Sequence, residues 1–176
     1  MNIIDFFRIE QKRLHAELRS SVRDLTVDEW HYIVPGTCNH IAFLMWHCVR
    51  TQDNILRFIL QGRPPIWNEG NWHERLKLPS RVQGTGMVTD EAHSLHIADP
   101  ALFMQYAEEV WQEYEAYLAS ISDGGAELGE RIVKVKPLGE MPALRAIGQV
   151  CISHLFTHLG EIAALLGAQG KKGLSL

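Results

Sequence analysis

Apolar residues recur at steps of three and four residues in four long stretches of the chain. This spacing places them on one face of an α-helix, with charged and polar residues between them. The pattern predicts helices over about residues 2–24, 39–61, 99–122 and 142–166. Four amphipathic helices of this length favour an all-α, four-helix bundle.

The segments between these helices carry weaker signals. Residues 63–98 are rich in proline, glycine and tryptophan and form a long crossover between the second and third helices. Thr26 and Thr89 are candidate N-caps of short helices. The stretch "ERIVKVKPLGEMP", residues 130–142, alternates like a β-strand. Because we find no partner strand elsewhere, we interpret it as an extended connection rather than a sheet.

Length and charge limit the classes of function. A chain of 176 residues with a net charge of −4 fits a single domain, residues 1–176, and its charge gives no reason to expect nucleic acid as a partner. The apolar run from Ile41 to Trp46 is too short to cross a bilayer, and the N-terminus lacks the features of a signal peptide. Three widely spaced cysteines are typical of reduced thiols. We therefore expect a cytoplasmic protein without a membrane partner.

Histidines interrupt the apolar face of the fourth helix. Its seam begins with apolar residues and continues through His154, His158 and Glu161. Imidazoles on a core-facing stripe need partners for both ring nitrogens, and two of them one turn apart are costly to protonate together. A divalent transition metal would meet both requirements, since residues four apart on a helix present two nitrogens to one ion.

The second helix offers a third ligand. His47 lies near its middle in an equally apolar setting, whereas His40 lies close to the helix start. A histidine on an apolar face is more often a hydrogen-bonded core residue than a ligand, so spacing alone leaves both explanations open. Glu161 is a candidate fourth ligand, an acceptor for a histidine N–H, or a seam residue that reaches the surface; we favour the acceptor.

Two stretches resemble a known family. "PGTCNHIAFLMWHCVRTQDNIL" in the second helix and "ISHLFTHLGEIAALLG" in the fourth are similar to the DinB-like (damage-inducible) metalloprotein superfamily. "LTVDEW" and "GTGMVTDEA" occur in the expected order. The resemblance implies a bundle of up-up-down-down topology with one long crossover. It also implies a homodimer, and a zinc or nickel ion held by His47, His154 and His158.

The same resemblance implies an activity. Characterised relatives include thiol-dependent transferases that use mycothiol, bacillithiol or glutathione. We therefore expect a metal-dependent thiol S-transferase that joins a low-molecular-weight thiol to a small electrophile. The crossover supplies candidate contacts for the thiol, namely Trp67, Trp72, His73, Arg75 and Arg81.

Two other functions stay open. One is a metal-dependent hydrolase that uses a bound water, with Glu161, His93 or His96 as the base. The other is a non-enzymatic metal-binding module of a stress response, which a fourth protein ligand closing the site would favour.

Overall fold

A computed structural model describes residues 1–35 and 39–174, and the chain is mostly helical. Cys38 and part of the "PGT" lead-in fall outside the described residues. The elements, in chain order, are α1 (Ile3–Val22), α2 (Val27–Trp30), α3 (Ile41–Asp53), the π-helix π1 (Asn54–Leu60), α4 (Ile66–Glu69), α5 (Trp72–Leu76), α6 (Thr89–Ser94), α7 (Pro100–Ser120), α8 (Ala126–Glu130), β1 (Ile132–Val135), β2 (Gly139–Pro142), α9 (Ala143–Arg145), the π-helix π2 (Ala146–Ser153) and α10 (His154–Ala168).

The four long helical segments pack around two clusters of buried apolar residues. They are α1, α3 with π1, α7, and α9 with π2 and α10, and they correspond to the four predicted helices. The segment Ala143–Ala168 is long and apolar enough to cross a membrane by length and composition alone. A buried core helix passes the same test.

Side-chain contacts give the relative directions of α1 and its neighbours. Arg8 pairs with Glu115 near the end of α7, whereas Arg19 pairs with Glu108 nearer its start, so these two helices are antiparallel.

The contacts of α1 with the segment formed by α9, π2 and α10 show the opposite relative direction. Gln11 donates a hydrogen bond to the Cys151 carbonyl, and Arg13 lies over the ring of Phe156, so the residue numbers rise together and the helices are parallel. The predicted up-up-down-down order makes the first and fourth helices antiparallel and is therefore wrong here. The apolar spacing specifies which face of a helix is buried, but not which way the helix points.

The "ERIVKVKPLGEMP" stretch forms a β-hairpin. β1 pairs with β2 antiparallel, with Ile132 opposite Pro142 and Val135 opposite Gly139. The interpretation as an unpaired connection is wrong, because the partner strand follows immediately after the turn. An isolated hairpin is marginally stable. Val135 and Met141 bury their side chains in the same core cluster as residues of π1 and thereby stabilise it.

The short helices differ in how they begin. Thr26 caps α2 and forms a reciprocal capping box with Glu29, as its sequence position predicts. Thr89 is instead the first helical residue of α6, after Val88, and the helix ends at Ser94, before His96.

Candidate metal centre

Two helical segments position three histidines at one place. His47 lies in α3, in which every residue is buried. His154 and His158 are the first and fifth residues of α10, directly after π2. Both are partly exposed rather than fully buried, because they line a cavity. The structure therefore brings together the three predicted ligands.

The ring nitrogens of the trio converge. One nitrogen from each ring lies within 4.8 Å of the others. The Nε2 atoms of His154 and His158 are 2.9 Å apart. The His47 ring stands at 90° to that of His154 and at 85° to that of His158. Three imidazoles meeting nearly at right angles can offer lone pairs to one ion from three directions.

Hydrogen bonds fix two of the three tautomers. Nδ1 of His47 lies 2.5 Å from the carbonyl oxygen of Gln83, which can only accept, so this nitrogen carries the proton. Nδ1 of His158 lies 3.0 Å from a carboxylate oxygen of Glu161 and donates in the same way. In both rings Nε2 is left with its lone pair, which is the state that a metal ligand requires. Glu161 thus occupies the favoured role of N–H acceptor.

The close contact between His154 and His158 indicates whether these residues fit a metal ion. Because Nε2 of His158 presents a lone pair, its 2.9 Å contact with Nε2 of His154 needs a proton or a cation between the two atoms. The buried Nδ1 of His154 has no hydrogen-bond partner among the described residues in either tautomer, so this atom does not decide where the proton lies. A divalent cation removes the conflict between the two Nε2 lone pairs. The three residues therefore fit a metal ion.

Burial keeps two of the imidazoles, those of His47 and His154, neutral. The pKa of His47 is lowered to about 4, chiefly by burial; the Gln83 carbonyl raises it, and the charges of His158 and His154 add to the lowering. Burial, followed by the charge of His158, also lowers the pKa of His154. Both rings are therefore uncharged at neutral pH, with one N–H and one free lone pair each, so neither has to lose a proton to bind a metal.

The trio has an open side. Among residues 1–35 and 39–174, no fourth His, Cys, Asp or Glu joins it. Cys48 is fully buried, and burial raises the pKa of its thiol, as expected of a structural cysteine. Three protein ligands with one position free is the arrangement typical of catalytic rather than structural zinc sites.

The open side faces a cavity of about 1070 Å³. Its walls are α3 with π1, crossover residues 81–87, residues 134–138 of the hairpin, and π2 with α10. Both π-helices contribute, and such segments occur frequently at functional sites. Phe58 continues the three- and four-residue apolar spacing of the predicted helix over residues 39–61, which predicts that it is buried. It is instead 58% exposed and lines this cavity, because the wider turn of π1 rotates it away from the α-helical position.

Most of the predicted crossover contacts lie elsewhere. Arg81 lines the cavity, but Trp67 and Trp72 are buried and donate to the Pro79 carbonyl and to Glu109. Arg75 lies over the ring of Trp72, so it serves packing of the crossover. His73, beside the carbonyl of Trp67, is likewise absent from the cavity wall. The prediction for these four residues is wrong.

His93 and His96 do not lie at the centre. Their rings pack instead against those of His40 and His31, respectively. His40 caps α3, since its Nδ1 accepts the backbone N–H of Phe43 at 3.0 Å. These four histidines form a separate cluster, which argues against His93 or His96 as a base at the trio.

Sequence reasoning missed Gln83, the two cavity-lining lysines of the hairpin, Lys134 and Lys136, and the π-helices. The alternating "KVK" places both lysines on the face opposite Val135, but nothing in that pattern assigns this face to the cavity.

Fold and site together define a helical protein with a three-histidine cluster that could hold a metal ion. Residues 10–162 match the DinB superfamily, and the chain belongs to that superfamily. A crystal structure described as the conserved protein of a locus from Enterococcus faecalis is similar, with a TM-score of 0.74 and 21% identity over 95% of this chain and 99% of that one. At this identity the likeness shows the fold alone. No curated protein matches the chain.

Proposed function

We propose that this protein is a metal-dependent thiol S-transferase whose ion, zinc or nickel, is held by His47, His154 and His158. The observation that carries the proposal is that three imidazoles converge on one side only, with the other side open to a large cavity. Membership of the DinB superfamily and the cluster together fit a metal-binding protein.

The lining of the cavity favours a thiol over water as the nucleophile. Hydrolysis through a bound water profits from a base beside it. None of the described residues that line the cavity is an aspartate or glutamate, and Glu161 is occupied on the far nitrogen of His158. A thiol has a much lower pKa than water, so a nearby cation ionises a thiol more readily than water and the thiol depends less on a base.

The proposed reaction balances without an oxidant. The thiol loses its proton to solvent, its sulfur forms a bond to carbon of the electrophile, and the leaving group departs as an anion; an epoxide instead opens its ring. A metal ion supplies Lewis acidity that lowers the pKa of the thiol. The chain's own residues contribute orientation, because Gln83 and Glu161 fix two of the imidazoles.

Metal content tests the site. Elemental analysis of the purified protein is expected to give one divalent metal ion per chain, and none for the triple replacement of His47, His154 and His158 by alanine. The His73→Ala variant is the matched control, because that histidine lies outside the cavity. Stoichiometric metal in the triple variant would show that the ligands are assigned wrongly.

Turnover tests the reaction. The metal-loaded protein is assayed with a chlorinated aromatic or an epoxide, with and without a low-molecular-weight thiol. Thiol-dependent product formation supports the transferase. Metal-dependent hydrolysis without added thiol would support the hydrolase, and absence of both activities would leave the non-enzymatic module. The homodimer and the cytoplasmic location stay predictions.

A further inference from the structure

We propose that the cavity binds an elongated amphipathic anion, whose acidic group lies on Arg81, Lys134 and Lys136 and whose apolar body lies along π1. The proposal deepens the proposed function, because it assigns a ligand class to the same cavity. Binding of such a ligand nevertheless depends on the cavity walls and not on the metal.

The cavity is positively charged in an acidic protein. The chain has 17 Lys and Arg against 21 Asp and Glu. The described residues that line the cavity nevertheless include three basic side chains and no acidic one. Arg81 comes from the crossover, and the two lysines come from the hairpin, so two separate segments bring positive charge to the same cavity. This concentration of one sign of charge selects for an anion.

Among the described residues, the three basic groups have no acidic partner. Most arginines of the described chain form ion pairs, but Arg81, Lys134 and Lys136 appear in none of the ion pairs between described residues. All three are exposed. A carboxylate, sulfonate or phosphate could therefore contact them without breaking an internal pair.

The cavity also has large apolar side chains that are exposed to solvent. Three large apolar side chains of the wall are exposed, with Phe58 at 58%, Val82 at 46% and Leu138 at 50%. They come from π1, the crossover and the hairpin turn. Grouped exposed apolar side chains around a concavity mark a binding site. An apolar ligand body would remove them from water.

The dimensions fit a ligand larger than a simple thiol. A volume of about 1070 Å³ is at the upper end of small-molecule pockets, which run to about 1000 Å³. His154 and His158 come from α10, whereas the basic side chains come from the crossover and the hairpin. One ligand can thus place its reactive atom at the histidines while its charge lies at the hairpin.

The test compares two fluorescent probes that differ in charge. 8-Anilinonaphthalene-1-sulfonate carries a sulfonate, whereas N-phenyl-1-naphthylamine has the same aromatic body without it. Each is titrated against the protein with and without metal. We expect the Arg81→Gln, Lys134→Gln, Lys136→Gln triple variant to bind the sulfonate at least tenfold more weakly and the neutral probe unchanged.

A second triple variant controls for net charge. Arg23→Gln, Lys77→Gln and Lys172→Gln remove the same charge from surface positions that do not line the cavity. We expect this variant to bind both probes like the wild type. Equal weakening by the two triple variants, or a sulfonate affinity that the cavity variant leaves unchanged, would overturn the proposal.

The wild-type protein gives an independent measurement. Raising the salt concentration from 50 to 500 mM is expected to weaken binding of the sulfonate probe and not of the neutral one, because salt screens exposed charges. Equal salt responses would contradict the proposal. A protein that binds no metal but passes both tests would refute the proposed function and leave this inference standing.

Discussion

Gly84 determines how closely the crossover approaches His47. Its φ of +92° lies in the left-handed region, and a Cβ there would meet Phe43 Cζ at 2.9 Å and His47 Nδ1 at 3.1 Å. The preceding residue, Gln83, offers the carbonyl that accepts the His47 proton. The absence of a side chain at Gly84 therefore permits the contact that fixes the His47 tautomer.

Replacing Gly84 by alanine is expected to weaken metal binding about tenfold. The added Cβ would push the crossover away from His47 and lengthen its hydrogen bond, and loss of such an outer contact typically lowers metal affinity 10- to 100-fold. Competition titration with a chromogenic zinc chelator measures the change.

Gly86 provides the matched control. Its φ of +72° is also left-handed, but a Cβ there meets nothing within 4 Å. Gly86→Ala should destabilise the fold by about 1 kcal/mol through backbone strain and leave zinc affinity unchanged. Equal losses of affinity in both variants would mean that strain, and not proximity to His47, is responsible.

Glu161 can be assigned by graded substitution. If Glu161 is the acceptor for His158 Nδ1, Glu161→Ala should lower zinc affinity 10- to 100-fold. Glu161→Gln should lower it less, because the amide oxygen still accepts a hydrogen bond. Zinc titration of both variants beside His158→Ala decides the matter. Unchanged affinity would make Glu161 a bystander, and a loss equal to that of His158→Ala would make it a ligand.

At the scale of elements, Asp53 joins α3 to the crossover and to α7. Its fully buried carboxylate accepts the backbone N–H groups of Ile66 at 2.8 Å and Trp67 at 2.9 Å, and the Tyr106 hydroxyl at 2.8 Å. Arg50 is 3.4 Å away. One side chain therefore fixes where the crossover starts.

Asp53→Ala is expected to destabilise the protein by about 3–5 kcal/mol, because it leaves a buried arginine and two backbone donors without their acceptor. Tyr106→Phe, which removes a single hydrogen bond, should destabilise it by about 1 kcal/mol. Urea unfolding measures both. A loss for Asp53→Ala no larger than for Tyr106→Phe would contradict the role of Asp53.

The elements also show where sequence patterns stop being informative. Periodicity locates the long helices because their apolar faces are decided locally. The hairpin was missed because its strands are four residues each and gain stability by packing on π1, a long-range contact. The π-helices were missed because an α-helical seam of three- and four-residue steps does not describe their wider turns, and Phe58 was misplaced accordingly.

At the scale of the whole molecule, the sequence specifies the trio better than the cavity. His154 and His158 are neighbours by helical spacing, and His47 shares their core-facing environment. The cavity instead forms where the crossover, the hairpin turn and two helical segments meet. No local pattern encodes that meeting, so Lys134 and Lys136 could not be assigned to it from the sequence.

Histidines outside the trio make stability depend on pH. Burial lowers the pKa of His15 to about 3 and, with the charge of His31, lowers that of His40 to about 4, from an ordinary value of 6.5. Below pH 6.5 the unfolded chain therefore takes up protons that the folded chain refuses. Stability from these residues is complete above pH 6.5 and is lost as the pH falls towards 3–4.

His40→Asn isolates one of these contributions. Asparagine caps helices well and can accept the Phe43 N–H in place of the imidazole, but it does not titrate. Between pH 7 and pH 5, the wild type should lose about 2 kcal/mol of unfolding free energy through His40, and the variant should not. Urea unfolding of both proteins in the presence of a metal chelator measures the difference. Every other histidine is the same in the two proteins, so its contribution cancels. The rings of His31 and His93 face His40 and would feel its charge, so a wild type and variant with parallel pH profiles would show that protonation of His40 is accommodated within the fold.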